Sequence, residues 1–273
     1  LFEIPYQRKG FYICENQVWE RAFVSAWNRH GHGELIAVPH ATIRYWDLRY
    51  FEDPRTFQSK GVFDLPQPHY FALNGPVASQ IFIDGKYPTS MLLECEALRY
   101  EGIEQSQLKN SELANNSELI RILVFTDFEE AITKRMINML GSAITDFPIE
   151  VSIAVKAHAS CPVEKADYPN LDFEVSRKSI KKISEDFDLV FSSSNTSAAV
   201  DAFVQGVPVI VFRERSFLNM SPLRGHKDVR FAGTAEELAQ MLLDNRNNLK
   251  FDEKKNRFFF SDLNLSRWME LVD

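Results

Sequence analysis

The stretch Asp188-Leu-Val-Phe-Ser-Ser-Ser-Asn-Thr-Ser-Ala-Ala-Val-Asp-Ala-Phe-Val-Gln-Gly-Val-Pro-Val-Ile-Val-Phe212 decides how the rest of the chain is read. Leu189 to Phe191 and Val207 to Phe212 are short apolar runs without polar alternation, the pattern of parallel strands covered on both faces. Between them a hydroxyl-rich turn leads into a short helical stretch, which Gly206-Val207-Pro208 closes. This order sets Ser193, Ser194, Asn195, Thr196 and Ser197 where a strand's carboxyl end meets a helix's amino end. Free N–H groups and the helix dipole favour an anion there, so a phosphate site is expected. One helix cap uses one such side chain, and five in succession exceed that need.

Outward from this unit the alternation continues. Ile120 to Phe125, Val151 to Val155, Leu171 to Val175 and Val229 to Ala232 read as further strands. Ile132, Met136, Met139 and Leu140 give one helix its apolar face, Ile180, Ile183 and Phe187 another, and the capping box Thr234-Ala-Glu-Glu237 opens a last one. Repeated strand-helix units imply a doubly wound parallel sheet. In the earlier half Phe11 to Cys14, Leu35 to Val38, Tyr70 to Leu73 and Met91 to Leu98 are strand-like. Trp19, Phe23 and Trp27 recur every four residues and predict a helix that buries an aromatic stripe. Residues 101–118 are polar and lack aromatics, which marks a linker. The expected domains are therefore 1–112 and 113–273. The aromatic end, Phe258 through Trp268 to Val272, predicts a closing helix packed on the other domain through Leu265, Trp268 and Val272. A membrane-surface helix led by Lys254, Lys255 and Arg257 is the competing expectation.

The 273 residues are 45% apolar and 25% charged, enough for two modest domains with a sizeable core. A formal charge of −7 argues against a general nucleic-acid binder. Cys14, Cys95 and Cys161 form no closely spaced pair, which points away from a disulfide framework or zinc site and towards a reducing cytoplasm. No apolar run is long enough to span a bilayer, and the first residues lack a signal-peptide pattern. Because the chain opens on Leu1 and its earlier half is short, it is expected to be part of a longer protein.

The candidate chemistry gathers at strand carboxyl ends. Lys156 and His158 follow the second strand of the later half, where His158 is placed to donate to a phosphate oxygen as a leaving group departs. Asp186-Phe187-Asp188 has the D-x-D pattern linked to metal-bound sugar nucleotides. It precedes a strand and so lies at the opposite sheet edge, which gives it a structural reading with no metal required. In the earlier half Glu15-Asn16-Gln17, His40 to Asp47 and Asn74-Gly75-Pro76 each follow a strand and are expected to face the serine turn across a cleft. Glu15, His40 and Asp47 are the candidates for a general base, Glu15 first, while Arg44 is expected to occupy Asp47. Glycine-rich dinucleotide, Walker and serine-elbow motifs are missing, which weighs against dehydrogenase, kinase and serine-hydrolase readings.

Two α/β domains of parallel sheets with a C-terminal closing helix resemble the GT-B glycosyltransferase fold of two facing Rossmann-like domains. Lys156-Ala-His158-Ala together with Ser192 to Ser197 resembles the His-Pro and Ser/Ser-Thr motifs of bacterial sialyltransferases and Kdo transferases, with Ala159 where those enzymes have proline. Glu15 to Arg55, Lys156 to Pro169 and Ser192 to Gly225 also resemble bacterial surface-carbohydrate biosynthesis proteins. The resemblance implies transfer of an acidic sugar, of Kdo or nonulosonate type, from a CMP-activated donor to a glycan or lipid-linked glycan. The product would be a surface polysaccharide such as capsule or lipopolysaccharide. It implies no cofactor beyond the donor, a cytoplasmic protein at the inner face of the plasma membrane, and no nucleic-acid partner. His158, Ser193, Ser194, Thr196 and Ser197 would hold the CMP phosphate, with Asp201, Asn219 and Ser221 near ribose or base. Asp127 competes with Glu15 and Asp47 for the acidic catalytic role. CDP-glycerol or a UDP-sugar as donor, and a non-catalytic sugar- or nucleotide-binding module, are the alternatives.

Overall fold

The structure is a computed structural model and describes residues 3–44, 47–57, 65–100, 119–177, 186–248 and 258–273. The chain forms two compact units, Leu1–Gly102 with Arg257–Asp273, and Ile103–Asn256. The stretch 101–118 read as a linker lies outside the described residues, as do Ile180, Ile183, Lys254, Lys255 and Arg257.

The first unit holds a four-stranded parallel sheet in the order β1 (Lys9–Ile13), β2 (Glu34–Val38), β3 (Tyr70–Leu73), β4 (Leu92–Glu94). Apolar runs such as Leu35-Ile36-Ala37 are fully buried, as expected of parallel strands with both faces covered. The strand read over Met91 to Leu98 is confined to β4, with 3₁₀ turns on either side. Helices α1 (Val18–Arg29) and α2 (Pro76–Asp84) follow β1 and β3.

Helix α1 does not bury the expected stripe. It buries Glu20, Val24 and Trp27, whereas Trp19 is exposed. The reason is polar: the Glu20 carboxylate accepts the N–H groups of Glu15 (2.9 Å) and Asn16 (3.0 Å), and this turns the helix about its axis. Trp19, Phe23 and Trp27 still form a ladder of tilted rings along one side. Trp27 packs so close to β1 that a Cβ on Gly10 would come within 2.4 Å of its ring, so only glycine fits there.

The terminal segment, counted in sequence with 113–273 but expected to pack on the other domain, belongs to this first unit. Phe260 N–H donates to Asn74 O (2.9 Å) and Ala97 N–H to Phe260 O (3.0 Å). The last helix in chain order, α6, spans Ser266–Val272. Trp268 and Leu271 pack on Ile36, Ala72 and Cys95. The expected Leu265–Trp268–Val272 face is not formed: Leu265, with φ +51°, is the N-cap and lies outside the helix, and Val272 is exposed. No described helix is long and apolar enough to cross a membrane.

The second unit holds six parallel strands: β5 (Leu119–Phe125), β6 (Glu150–Lys156), β7 (Glu174–Val175), β8 (Leu189–Ser193), β9 (Val209–Phe212) and β10 (Arg230–Ala232). Their spatial order, β10-β9-β8-β5-β6-β7, is the 3-2-1-4-5-6 arrangement of doubly wound folds when counted within the unit. Helices α3 (Glu130–Ile144), α4 (Ala198–Val204) and α5 (Ala235–Asn248) accompany it. Met136, Ile137 and Leu140 of α3 bury against Ile122, Val124, Leu189 and Phe191. The strand read over Leu171 to Val175 shortens to β7, because Leu171 and Phe173 are spent in the core beside α3. The capping box forms with a shift of one residue. Thr234 Oγ1 accepts Glu237 N–H (3.1 Å), and the Glu237 carboxylate reaches back to Gly233 N–H (2.7 Å).

Candidate active site

In a doubly wound sheet the ligand crevice opens where the strand order reverses, here between β5 and β8. Each of these strands ends in polar residues that are fully buried: Thr126 and Asp127 after β5, Ser192 and Ser193 at the end of β8. A carboxylate in such a place must be satisfied by donors. Asp127 Oδ2 accepts the Ser193 hydroxyl and, at 2.9 Å, the Asn195 amide, while Oδ1 accepts Glu129 N–H at 3.0 Å. Ser193 Oγ in turn accepts Asn195 N–H at 3.1 Å. Thr133 of α3 closes the other side, donating its hydroxyl to Asp127 O and accepting Asp127 N–H. The serine turn is thus tied to the end of β5 by a closed hydrogen-bond network.

This geometry changes several assignments. Ser193 and Asn195, expected to hold phosphate, spend their side chains on Asp127. Asp127, a candidate catalytic acid, is 1% exposed and its oxygens are engaged, so it organises the turn. Ser197 stands at the N-cap of α4 without a side-chain cap bond, and Thr196 Oγ1 instead accepts Ala198 N–H at 3.2 Å. Ser194, Thr196 and Ser197 are half-buried at the rim. Asp201 lies on α4 and is half-buried. Asn219 and Ser221 bond within their own turn, where Ser221 N–H donates to Asn219 Oδ1 and Leu223 N–H to Ser221 Oγ.

His158 joins the same sheet edge. Its N–H donates to Thr126 Oγ1 at 3.0 Å, and its exposed ring lies 6.1 Å from that of Phe128. Nδ1 accepts Ser160 N–H at 3.2 Å, which places the proton of the neutral ring on Nε2 and makes that edge a donor. Lys156 closes β6, paired in register with Phe125. Asp188 lies at the amino end of β8, where its carboxylate accepts the Arg121 guanidinium at 2.7 Å and Arg121 N–H at 2.9 Å. Thr126 and Thr133 escaped the sequence reading, since an isolated threonine carries no signal of a partner far along the chain.

In the first unit Glu15 and His40 meet, with His40 Nε2 3.7 Å from Glu15 Oε1. Asp47 pairs with Arg49, a partner the sequence reading did not name: both of its oxygens accept the guanidinium, at 2.8 and 2.7 Å. That bidentate engagement occupies both carboxylate oxygens. Cys14 sits beneath this loop, and burial followed by the Glu20 carboxylate pushes its thiol up to about 12, so it stays protonated. All three cysteines are buried and free.

No family model matches the chain, and no curated protein is similar to it in sequence. Solved structures are similar in fold. S. aureus MnaA in a co-structure with UDP has a TM-score of 0.54 at 13% identity, covering 88% of this chain and 67% of that one. The glycotransferase of kitacinnamycin gives 0.53 at 13% identity, covering 88% and 68%. CalG4, the calicheamicin glycosyltransferase, gives 0.52 at 10% identity, covering 88% and 65%. With its two parallel sheets the chain has the α/β, GT-B-like fold that the motifs implied.

Proposed function

We propose that the chain is a glycosyltransferase that uses a nucleotide-sugar donor. The observation that carries this reading is the Asp127–Ser193–Asn195 network, which locks a hydroxyl-rich turn at the switch point of the second sheet. A rigid turn presents the rim hydroxyls and His158 Nε2–H to a phosphate without reorganisation, and preorganised donors are what stabilise a departing nucleotide. The donor proposed is a UDP-sugar, supported by the likeness to MnaA with UDP. The competing donor is a CMP-activated acidic sugar, supported by the Lys156–His158 and serine motifs. A surface polysaccharide is the proposed product, made on the cytoplasmic side of the membrane with no metal or further cofactor.

Thermal melting separates the donors, because a ligand selective for the folded state stabilises it by an amount set by its affinity. UDP is expected to raise the melting temperature at least as far as CMP at equal concentration. A larger shift with CMP would return the donor to the CMP-sugar class, and no shift with either would remove the transferase reading.

His158→Ala is expected to lower turnover about 10²-fold, the usual loss for one donor to developing charge, with a much smaller change in nucleotide affinity. Unchanged turnover would reduce His158 to a loop residue.

A further inference from the structure

Buried polar atoms are almost always hydrogen-bonded, and the exceptions mark places where a partner arrives from outside. Three such atoms lie at the carboxyl ends of adjacent strands in the first unit: Asn16 Nδ2 after β1, His40 Nδ1 after β2 and Asn74 Nδ2 after β3. Asn74 is only 5% exposed. The β1–β2 register pairs Ile13 with Val38, and carried onward it sets Glu15 level with His40. The β2–β3 register pairs Ala37 with Phe71, and carried onward it sets His40 level with Asn74. Adjacent strands lie about 4.8 Å apart, so the row spans about 10 Å, enough to engage more than one group of a sugar ring.

We propose that Asn16, His40 and Asn74 form a binding site for the hydroxyl groups of a carbohydrate. The site rests on the transferase reading only for its role, that of holding the acceptor. The donor pattern selects the ligand class. His40 Nε2 faces the Glu15 carboxylate, which favours the proton on that nitrogen and leaves Nδ1 with a lone pair. The two asparagine amide nitrogens are donors. A ligand that meets all three must donate to the centre and accept on both flanks, as neighbouring sugar hydroxyls do. A phosphate or carboxylate anion is repelled by the Glu15 carboxylate beside His40, whereas a neutral sugar is not.

The row is braced from behind at its β1 end. Glu20 holds the N–H groups of Glu15 and Asn16, and Asn16 keeps a left-handed backbone with φ +54°. The Glu15 and His40 side chains are 48% and 34% exposed, so the centre of the row is reached from solvent.

The test uses the full chain with ¹⁵N-labelled His and Asn side chains. The probes are methyl glucoside and methyl N-acetylglucosaminide, with inorganic phosphate as the anionic control and UDP added separately. Either glycoside is expected to shift the His40, Asn16 and Asn74 side-chain signals together and saturably, and phosphate is not. Asn74→Leu is expected to weaken that binding at least 10-fold without loss of melting temperature, since it removes an unpaired buried amide. Asn16→Gly, which keeps the left-handed backbone, is expected to weaken it in the same direction. Absence of a saturable glycoside shift, an equal response to phosphate, or full affinity in Asn74→Leu overturns the site. A UDP response without a glycoside response overturns this site and leaves the transferase reading. A glycoside response without a UDP response does the reverse.

Discussion

Asp127→Ala is expected to abolish measurable nucleotide binding at concentrations that saturate the parent protein, an affinity loss of about 10²-fold or about 2.7 kcal/mol. The substitution removes the acceptor of the Ser193 hydroxyl, the Asn195 amide and Glu129 N–H at once, and leaves these donors beside a small cavity. Hydrogen bonds to a charged group contribute about 1.5–3 kcal/mol each and are not additive, so folding stability should fall by about 3 kcal/mol. Asp127→Asn keeps the shape but sets an amide donor against the Ser193 and Asn195 donors, and an intermediate effect follows. Calorimetric titration with UDP, with urea unfolding alongside, separates the two losses. If Asp127→Ala binds UDP as the parent does, the network is not what shapes the phosphate turn.

Glu96→Ala should release the terminal helix and lower stability by about 2–3 kcal/mol. Glu96 is 2% exposed, and its carboxylate accepts Arg267 N–H, the Arg267 guanidinium and Trp268 N–H, each at 3.1 Å. The indole of Trp268 adds a bond to Glu96 O at 2.8 Å, and Arg267 also lies 4.7 Å from the centre of the Phe260 ring. Burial opposes the charge on Glu96, but the two backbone N–H groups and the guanidinium outweigh it and hold the carboxyl below its ordinary 4.5. A carboxyl depressed in the folded state stabilises fully above its unfolded pKa and loses that contribution as pH falls through the folded one. The parent should therefore lose stability below about pH 4.5 more steeply than Glu96→Gln does. Superimposable melting curves for parent and both variants from neutral to acid pH would show that the clasp contributes nothing.

What the sequence determined by itself was the class of fold and the neighbourhood of the site. Uninterrupted apolar runs such as Tyr70 to Leu73 and Leu189 to Phe191 coincide with β3 and lie within β8, because strands buried on both faces admit no polar alternation. Their alternation with amphipathic helices left a doubly wound parallel sheet as the economical topology, and hydroxyls at a strand's end marked one crevice. Tertiary structure decided the roles. The partners of Asp127 lie 66 and 68 residues away, and Glu96 holds residues 171 and 172 positions further on, distances over which no local pattern carries information. The rotation of α1 escaped the apolar periodicity for a related reason. Periodicity ranks side chains by hydrophobicity, yet Glu20 is buried and Trp19 exposed, because two N–H groups after β1 need an acceptor and a buried unpaired donor costs more than an indole in water.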